Sequence, residues 1–126
     1  MPNLELILAR SLVAHLSVPA FLSNEEGTFV YFNEAAEMLV GRSFEETPEL
    51  TPEDLLRLLD PRKEDGTPAG LADLPLPRAV DERVPAHFHA RSGRDGGKRY
   101  LATAVPMLDR DGVAIGALLF WYEDKR

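Results

Sequence analysis

Residues 113–122 form an almost wholly apolar run that closes on Phe120, Trp121 and Tyr122. The run is half as long as the ~20 residues that a membrane-spanning helix needs. It follows Asp109-Arg110-Asp111-Gly112, and Asp-Gly between β-rich runs is a strong hairpin signal. An apolar run of this length without polar alternation suits a central strand covered on both faces. It sets the problem that the remaining segments must solve, because each face of its sheet needs a covering layer.

The neighbouring strands precede it. Residues 98–108 read as one strand and residues 84–91 as another, joined through Asp95-Gly96-Gly97. In residues 84–91, Val84, Ala86, Phe88 and Ala90 alternate with Pro85, His87, His89 and Arg91, so one face is buried and the other is more polar. Nearer the start, residues 19–24 and 28–32 read as two short strands around the turn Asn24-Glu25-Glu26-Gly27. Thr28, Phe29, Val30, Tyr31 and Phe32 have strong β character. Sequential hairpins give an antiparallel sheet.

Short helices between the two groups of strands supply cover for one face. Asn33 is placed to cap a helix, Glu34 and Glu37 suit its positive end, and Ala35, Ala36, Met38, Leu39 and Val40 give it an apolar side before Gly41 ends it. Ser43-Phe44-Glu45-Glu46 has capping-box spacing and starts one further turn before Pro48. Thr51-Pro52-Glu53-Asp54 opens a firmer helix, buried through Leu55, Leu56, Leu58 and Leu59 and stopped by Asp60-Pro61. Residues 61–70 read as a loop. Residues 71–83 hold another helix whose regular part begins near Leu76, because of Pro75 and Pro77.

The opposite face is left to residues 3–17, read as a helix ending before Pro19. Leu4, Ile7, Leu8, Leu12 and Leu16 form its main stripe, together with Ser11 and His15, while Leu6 and Val13 point the other way. A helix apolar on two sides needs more than one surface to cover it. Leu4, Leu8, Leu12 and His15 are therefore candidates for a dimer interface.

At 126 residues and 44% hydrophobic content the chain makes one domain with one core. A net charge of −7 argues against a nucleic-acid partner. Arg91, Arg94, Lys98 and Arg99 are a local exception, read as a solvated hairpin tip, with a docking patch for an acidic partner as the sharper alternative. The absence of cysteine removes disulfides, thiolate metal sites and cysteine nucleophiles together. The start, Met1-Pro2-Asn3-Leu4-Glu5, lacks a basic leader. The expectation is a cytoplasmic protein with no membrane partner.

Three segments in order carry a resemblance to a known family. The first is Pro19-Ala20-Phe21-Leu22, Gly27, Tyr31-Phe32-Asn33-Glu34-Ala35-Ala36-Glu37, then Leu39, Gly41 and Glu46. The second is Leu76-Pro77-Arg78-Ala79-Val80, and the third is Arg99, Pro106, Asp109, Gly112 and Gly116. Together the chain resembles a Per-Arnt-Sim (PAS) domain. The resemblance implies an α+β fold, with a five-stranded antiparallel sheet, short helices on one face and an N-terminal amphipathic helix. Residues 1–18 would be that helix, serving dimerisation or capping the sheet, and residues 19–126 the core domain. It also implies a cavity between sheet and helices that in many members holds a small ligand, a homodimer through the N-terminal helix, and a regulatory role toward a signalling partner.

Tyr31, Met38, Phe88 and Tyr100 are the candidate cavity residues, with Trp121 beside them unless it and Tyr122 cover the outer sheet face; packing that simply fills the space is the plainer alternative. No cofactor is specified. A cysteinyl-flavin photoadduct is excluded because there is no cysteine. Haem is disfavoured because residues 51–83 hold no histidine, and His87 and His89 lie opposite the apolar face of their strand. His87 and His89 without a third ligand make a weak metal site. No nucleophile elbow or phosphate loop is present. The expectation is a non-enzymatic sensory or regulatory module. A ligand-free protein–protein interaction domain is the alternative, and an enzyme using a carboxylate in an α+β cavity ranks last.

Overall fold

The computed structural model describes residues 4–125. Among the described residues there are six strands: β1 (Ala20–Asn24), β2 (Phe29–Phe32), β3 (Pro61–Arg62), β4 (Ala86–Ser92), β5 (Arg99–Leu108) and β6 (Ala114–Glu123). They form one antiparallel sheet of order β2-β1-β6-β5-β4-β3, so the apolar run is an inner strand between β1 and β5. Five strands are those expected from the sequence. The sixth, β3, lies in the stretch read as a loop and pairs Pro61 with Ser92 and Arg62 with Arg91. Two residues leave no periodic signal, and proline is compatible with an edge strand.

Among the described residues four helices accompany the sheet: α1 (Leu4–Ala14), α2 (Glu34–Val40), α3 (Pro52–Leu59) and α4 (Pro75–Glu82), with a 3-10 turn at Leu71–Asp73. Helix α4 begins at Pro75, and Pro77 also falls in its first turn, where backbone N–H groups have no intrahelical partner. Register fixes the two faces of the sheet. Trp121 stands opposite Ala102, Leu119 opposite Ala104 and Phe21, and Phe21 opposite Phe32. These side chains join Leu55, Leu76 and Ala79 from α3 and α4 in one buried core.

The other face carries α1, which packs on β1 and β2. Ala9 and Val13 are buried there, and so is Leu22, which alternates with the core-facing Phe21. Beneath this helix, Gly116 sits where strand β1 leaves no room for a side chain. A Cβ at that position would overlap the Ser23 carbonyl and come within 3.4 Å of Leu6 Cδ2. The helix thus seats the side bearing Leu6, Ala9 and Val13 against the sheet. The stripe that dominates the sequence pattern points outward, with Ile7 51%, Leu8 62% and Leu12 59% exposed. The smaller side chains at Ala9 and Val13 permit closer packing over β1 and β2. Among the described residues, no helix is long and apolar enough to cross a membrane.

Asn33 ties the two layers together. Its Oδ1 accepts from the backbone N–H of Ala36, capping α2, and from that of Ala20 at the start of β1. Its Nδ2 lies 2.9–3.2 Å from the carbonyls of Val13, Leu16 and Val18, which carry the chain out of α1. The residue is 1% exposed. A buried amide of this kind is tolerable only because both ends of it are satisfied.

Candidate functional site

A cleft of about 250 Å³ opens between the sheet and the helices. Met38 and Leu39 of α2, Leu59 of α3 and Pro61 of β3 line part of it. Arg91 and Ser92 of β4, Arg94 and Asp95 of the following turn, Tyr100 of β5 and Trp121 of β6 complete it. Its lining combines apolar side chains with two arginines, an aspartate and N–H donors.

The hairpin that supplies Arg94 and Asp95 is clamped to the end of α3. Asp60 ends that helix in a left-handed conformation, φ 47°, and its carbonyl accepts from Gly93 N–H at 2.9 Å. The Asp60 carboxylate is held by Arg62 Nε and Nη2 at 3.3 and 3.1 Å. It lies so close to Gly93 that a Cβ there would overlap it. Arg94 donates to the Leu58 carbonyl. Within the turn, Ser92 Oγ accepts from the N–H groups of Arg94 and Asp95, each at 3.1 Å. Short-range turn chemistry and a two-residue strand together hold the polar lining in place.

Among the lining residues, two buried donors away from the cleft surface lack acceptors: Arg91 Nε and the indole Nε1 of Trp121. Trp121 is 3% exposed and meets Tyr100 edge-on, with ring centroids 6.3 Å apart. Arg91 Nη2 lies 3.6 Å from the Glu64 carboxylate, a partly exposed pair. The Tyr100 hydroxyl stands 3.5 Å from Asp95 Oδ2. Burial, with the negative charges of Asp95 and Glu123 beside it, pushes the Tyr100 phenol above its ordinary value, so it stays a neutral donor at physiological pH.

Three of the five cavity residues expected from the sequence, Met38, Tyr100 and Trp121, line this cleft. Met38 is 79% exposed and borders its mouth. Phe88 is half-buried against the core and does not line the cleft. Tyr31, which alternates with the core-facing Phe32, meets Phe44 edge-on at 5.4 Å and takes the Arg10 guanidinium over its ring at 4.7 Å. The basic tip divides. Arg91 and Arg94 border the cleft, whereas Lys98 pairs with Glu123 at 3.7 Å.

Of the candidate interface residues, Leu8, Leu12 and His15 are exposed, and the Leu4 side chain lies outside the described residues. His15 Nδ1 is 2.8 Å from the Ser11 carbonyl, and His87 Nδ1 is 2.9 Å from Thr103 Oγ1. No histidine lines the cleft. Among the described residues no group of three or more acidic or histidine side chains can hold a metal ion. Trp121, also among the pocket candidates, shares the phase of Ala117 and Leu119 in β6, so alternation alone gives its face. Arg91 has no such signal, because its strand phase is opposite to that of Ala90.

A family model described as PAS fold matches residues 13–123. A search of curated protein sequences gives no match. Solved structures of similar fold include the PAS domain of BvgS from Bordetella pertussis, at 16% identity and TM-score 0.67, covering 97% of this chain and 87% of that one. The LOV protein of Rhodobacter sphaeroides is similar at 15% identity and TM-score 0.68, with 98% and 70% covered. VqmA bound to DPO is similar at 16% identity and TM-score 0.62, with 95% and 58% covered.

Proposed function

The chain belongs to the PAS fold family, and on that premise we propose that it is a regulatory sensor, a homodimer whose inner cleft binds a small molecule and whose outer helix relays the result. The observation that carries this reading is the position of β6. One end of the strand gives Trp121 to the cleft, and the other gives Gly116 to the seat of α1. A ligand that favours one arrangement of the cleft shifts the population of sheet and helix packings that it fits. VqmA, similar in fold, is described with DPO bound.

Dimerisation is the second part of the reading. Ile7, Leu8 and Leu12 form an exposed apolar stripe on α1, and such stripes mark interaction sites more often than they mark free surface. On this reading residues 1–18 serve as relay and interface and residues 19–126 as the receiving core, in a cytoplasmic protein that signals to another protein. Binding rather than catalysis fits a cleft whose ionisable groups are two arginines, one aspartate and a neutral tyrosine.

Native mass spectrometry on freshly purified full-length protein, paired with sedimentation velocity, tests the reading. The expected result is a reproducible small bound mass, with a dimer equilibrium that changes when that mass is removed. Bare protein whose dimerisation is indifferent to small-molecule extracts would favour a ligand-free interaction domain instead.

A further inference from the structure

We propose that His87 and His89 are one half of a Zn²⁺ site, and that a second copy of this chain supplies the other half by pairing along the open edge of β4.

Strand β4 is bonded to β5 from Ala86 to Arg91, whereas β3 covers its other side only at Arg91 and Ser92. Two bonds at the end of the strand give the direction of its backbone groups. Ser92 N–H donates to the Lys98 carbonyl at 2.8 Å, toward β5, and Gly93 N–H donates to the Asp60 carbonyl at 2.9 Å, on the side of β3. These directions alternate along an antiparallel strand, and β4 meets β5 without a bulge. The N–H and C=O groups of His87 and His89 therefore point away from β5. Among the described residues no backbone group meets them there. A row of unpaired groups of this kind is a template for another strand.

One symmetric register uses both residues. Arg91 is already taken by Arg62 of β3, and Pro85 has no N–H to give. Two β4 strands running antiparallel about a two-fold axis at Phe88 set each His87 opposite the His89 of the second copy. The open edge lies at the far side of the sheet from β1 and β2, where α1 packs, so this contact is separate from one through Leu8 and Leu12.

The side chains supply the ligands. His87 and His89 are exposed and alternate with the buried Ala86 and Ala90, so they share the outer face of the sheet. Residues two apart on a strand are about 7 Å apart, and a bonded cross-strand pair about 5.5 Å. Four imidazoles thus gather in one patch. Imidazole nitrogen is a preferred donor to Zn²⁺, which takes four ligands in a tetrahedron. One chain alone brings two, since among the described residues no group of three histidine or acidic side chains can hold a metal. His87 Nδ1 lies 2.9 Å from Thr103 Oγ1, a contact that orients the ring and leaves Nε2 for the metal. Arg91, next on this face, has Nη2 3.6 Å from the Glu64 carboxylate, which offsets its charge.

Calorimetric titration of ZnCl₂ into metal-free, untagged full-length protein, with sedimentation velocity on the same samples, tests the site. Zn²⁺ should bind at one ion per two chains and at least double the sedimenting mass relative to metal-free protein, and EDTA should reverse the step. His87→Ala and His89→Ala should each abolish both effects and keep the wild-type melting temperature in metal-free buffer, because neither side chain is in the core. Thr103→Val should weaken Zn²⁺ binding by roughly tenfold with the stoichiometry unchanged, as the loss of a ring-orienting partner does. Saturation at one ion per chain with no change of mass would overturn the shared site. So would a mass step that survives replacement of both histidines, or the absence of saturable binding.

Discussion

Asn33 is where most of the fold's polar accounting is concentrated. One side chain caps α2, accepts from the start of β1 and serves three carbonyls at the exit from α1. Its capping role is legible in the sequence, because Asn before an acidic, alanine-rich helix start is a local pattern. Its second role is not, since the carbonyls it serves lie 15 to 20 positions earlier in the chain. Asn33→Ala removes the cap and orphans buried groups on both sides. The expected loss is about 3 kcal/mol or more of unfolding free energy, measured by chemical denaturation. A loss below about 1 kcal/mol would mean that water replaces the amide, and that the layers are joined by apolar packing alone. Arg91 and Trp121 show the same limit from the other direction. Strand alternation gives the face of Trp121, but whether its N–H finds an acceptor depends on parts of the chain brought near by tertiary structure.

At the scale of elements, the helices are better specified than the edge of the sheet. Helix α3 carries the capping box expected at its start, with Thr51 Oγ1 accepting from Asp54 N–H at 3.2 Å and Asp54 Oδ2 accepting from Thr51 N–H at 3.0 Å. That backbone N–H, with further help from the Thr51 hydroxyl and Arg57, holds the Asp54 carboxyl below the ordinary carboxylate range. A depressed folded-state pKa contributes stability that is present above the unfolded value and is lost as pH falls through the folded one. Asp54→Asn should therefore cost on the order of 1 kcal/mol at neutral pH. The gap between the two proteins should narrow in thermal melts taken below about pH 4. A gap that stays constant down to pH 2 would assign the effect to packing. Strand β3, in contrast, is set by its partner β4, and nothing within two residues announces it. The clamp between Asp60 and Gly93 inherits that silence, so the cleft's polar lining is not readable from the sequence even though its turn residues are.

For the molecule as a whole, the sequence pattern names the right helix for the uncovered sheet face but suggests the wrong side as its main stripe. The sheet takes Ala9 and Val13, and the richer stripe of Ile7, Leu8 and Leu12 remains outside. The small Ala9 and Val13 side chains let the helix lie close over β1 and β2, which a row of leucines would hold further away. If the outward stripe joins two protomers, Leu8→Glu and Leu12→Glu together should weaken dimerisation by about a hundredfold, read by sedimentation equilibrium, because each buries an unpaired charge. The melting temperature of the separated subunit should barely change, as neither residue belongs to the core. A wild-type chain that sediments as a monomer at every accessible concentration would end that account.

The bonds from Asn33 to the exit of α1 bear on where the molecule can be trimmed. A fragment starting at residue 19 keeps every strand, yet it discards all three carbonyls that the buried amide serves and bares Leu22 to water. The leading helix is thus a keystone for the body that follows it, and shortened versions intended for crystallography or spectroscopy should retain it.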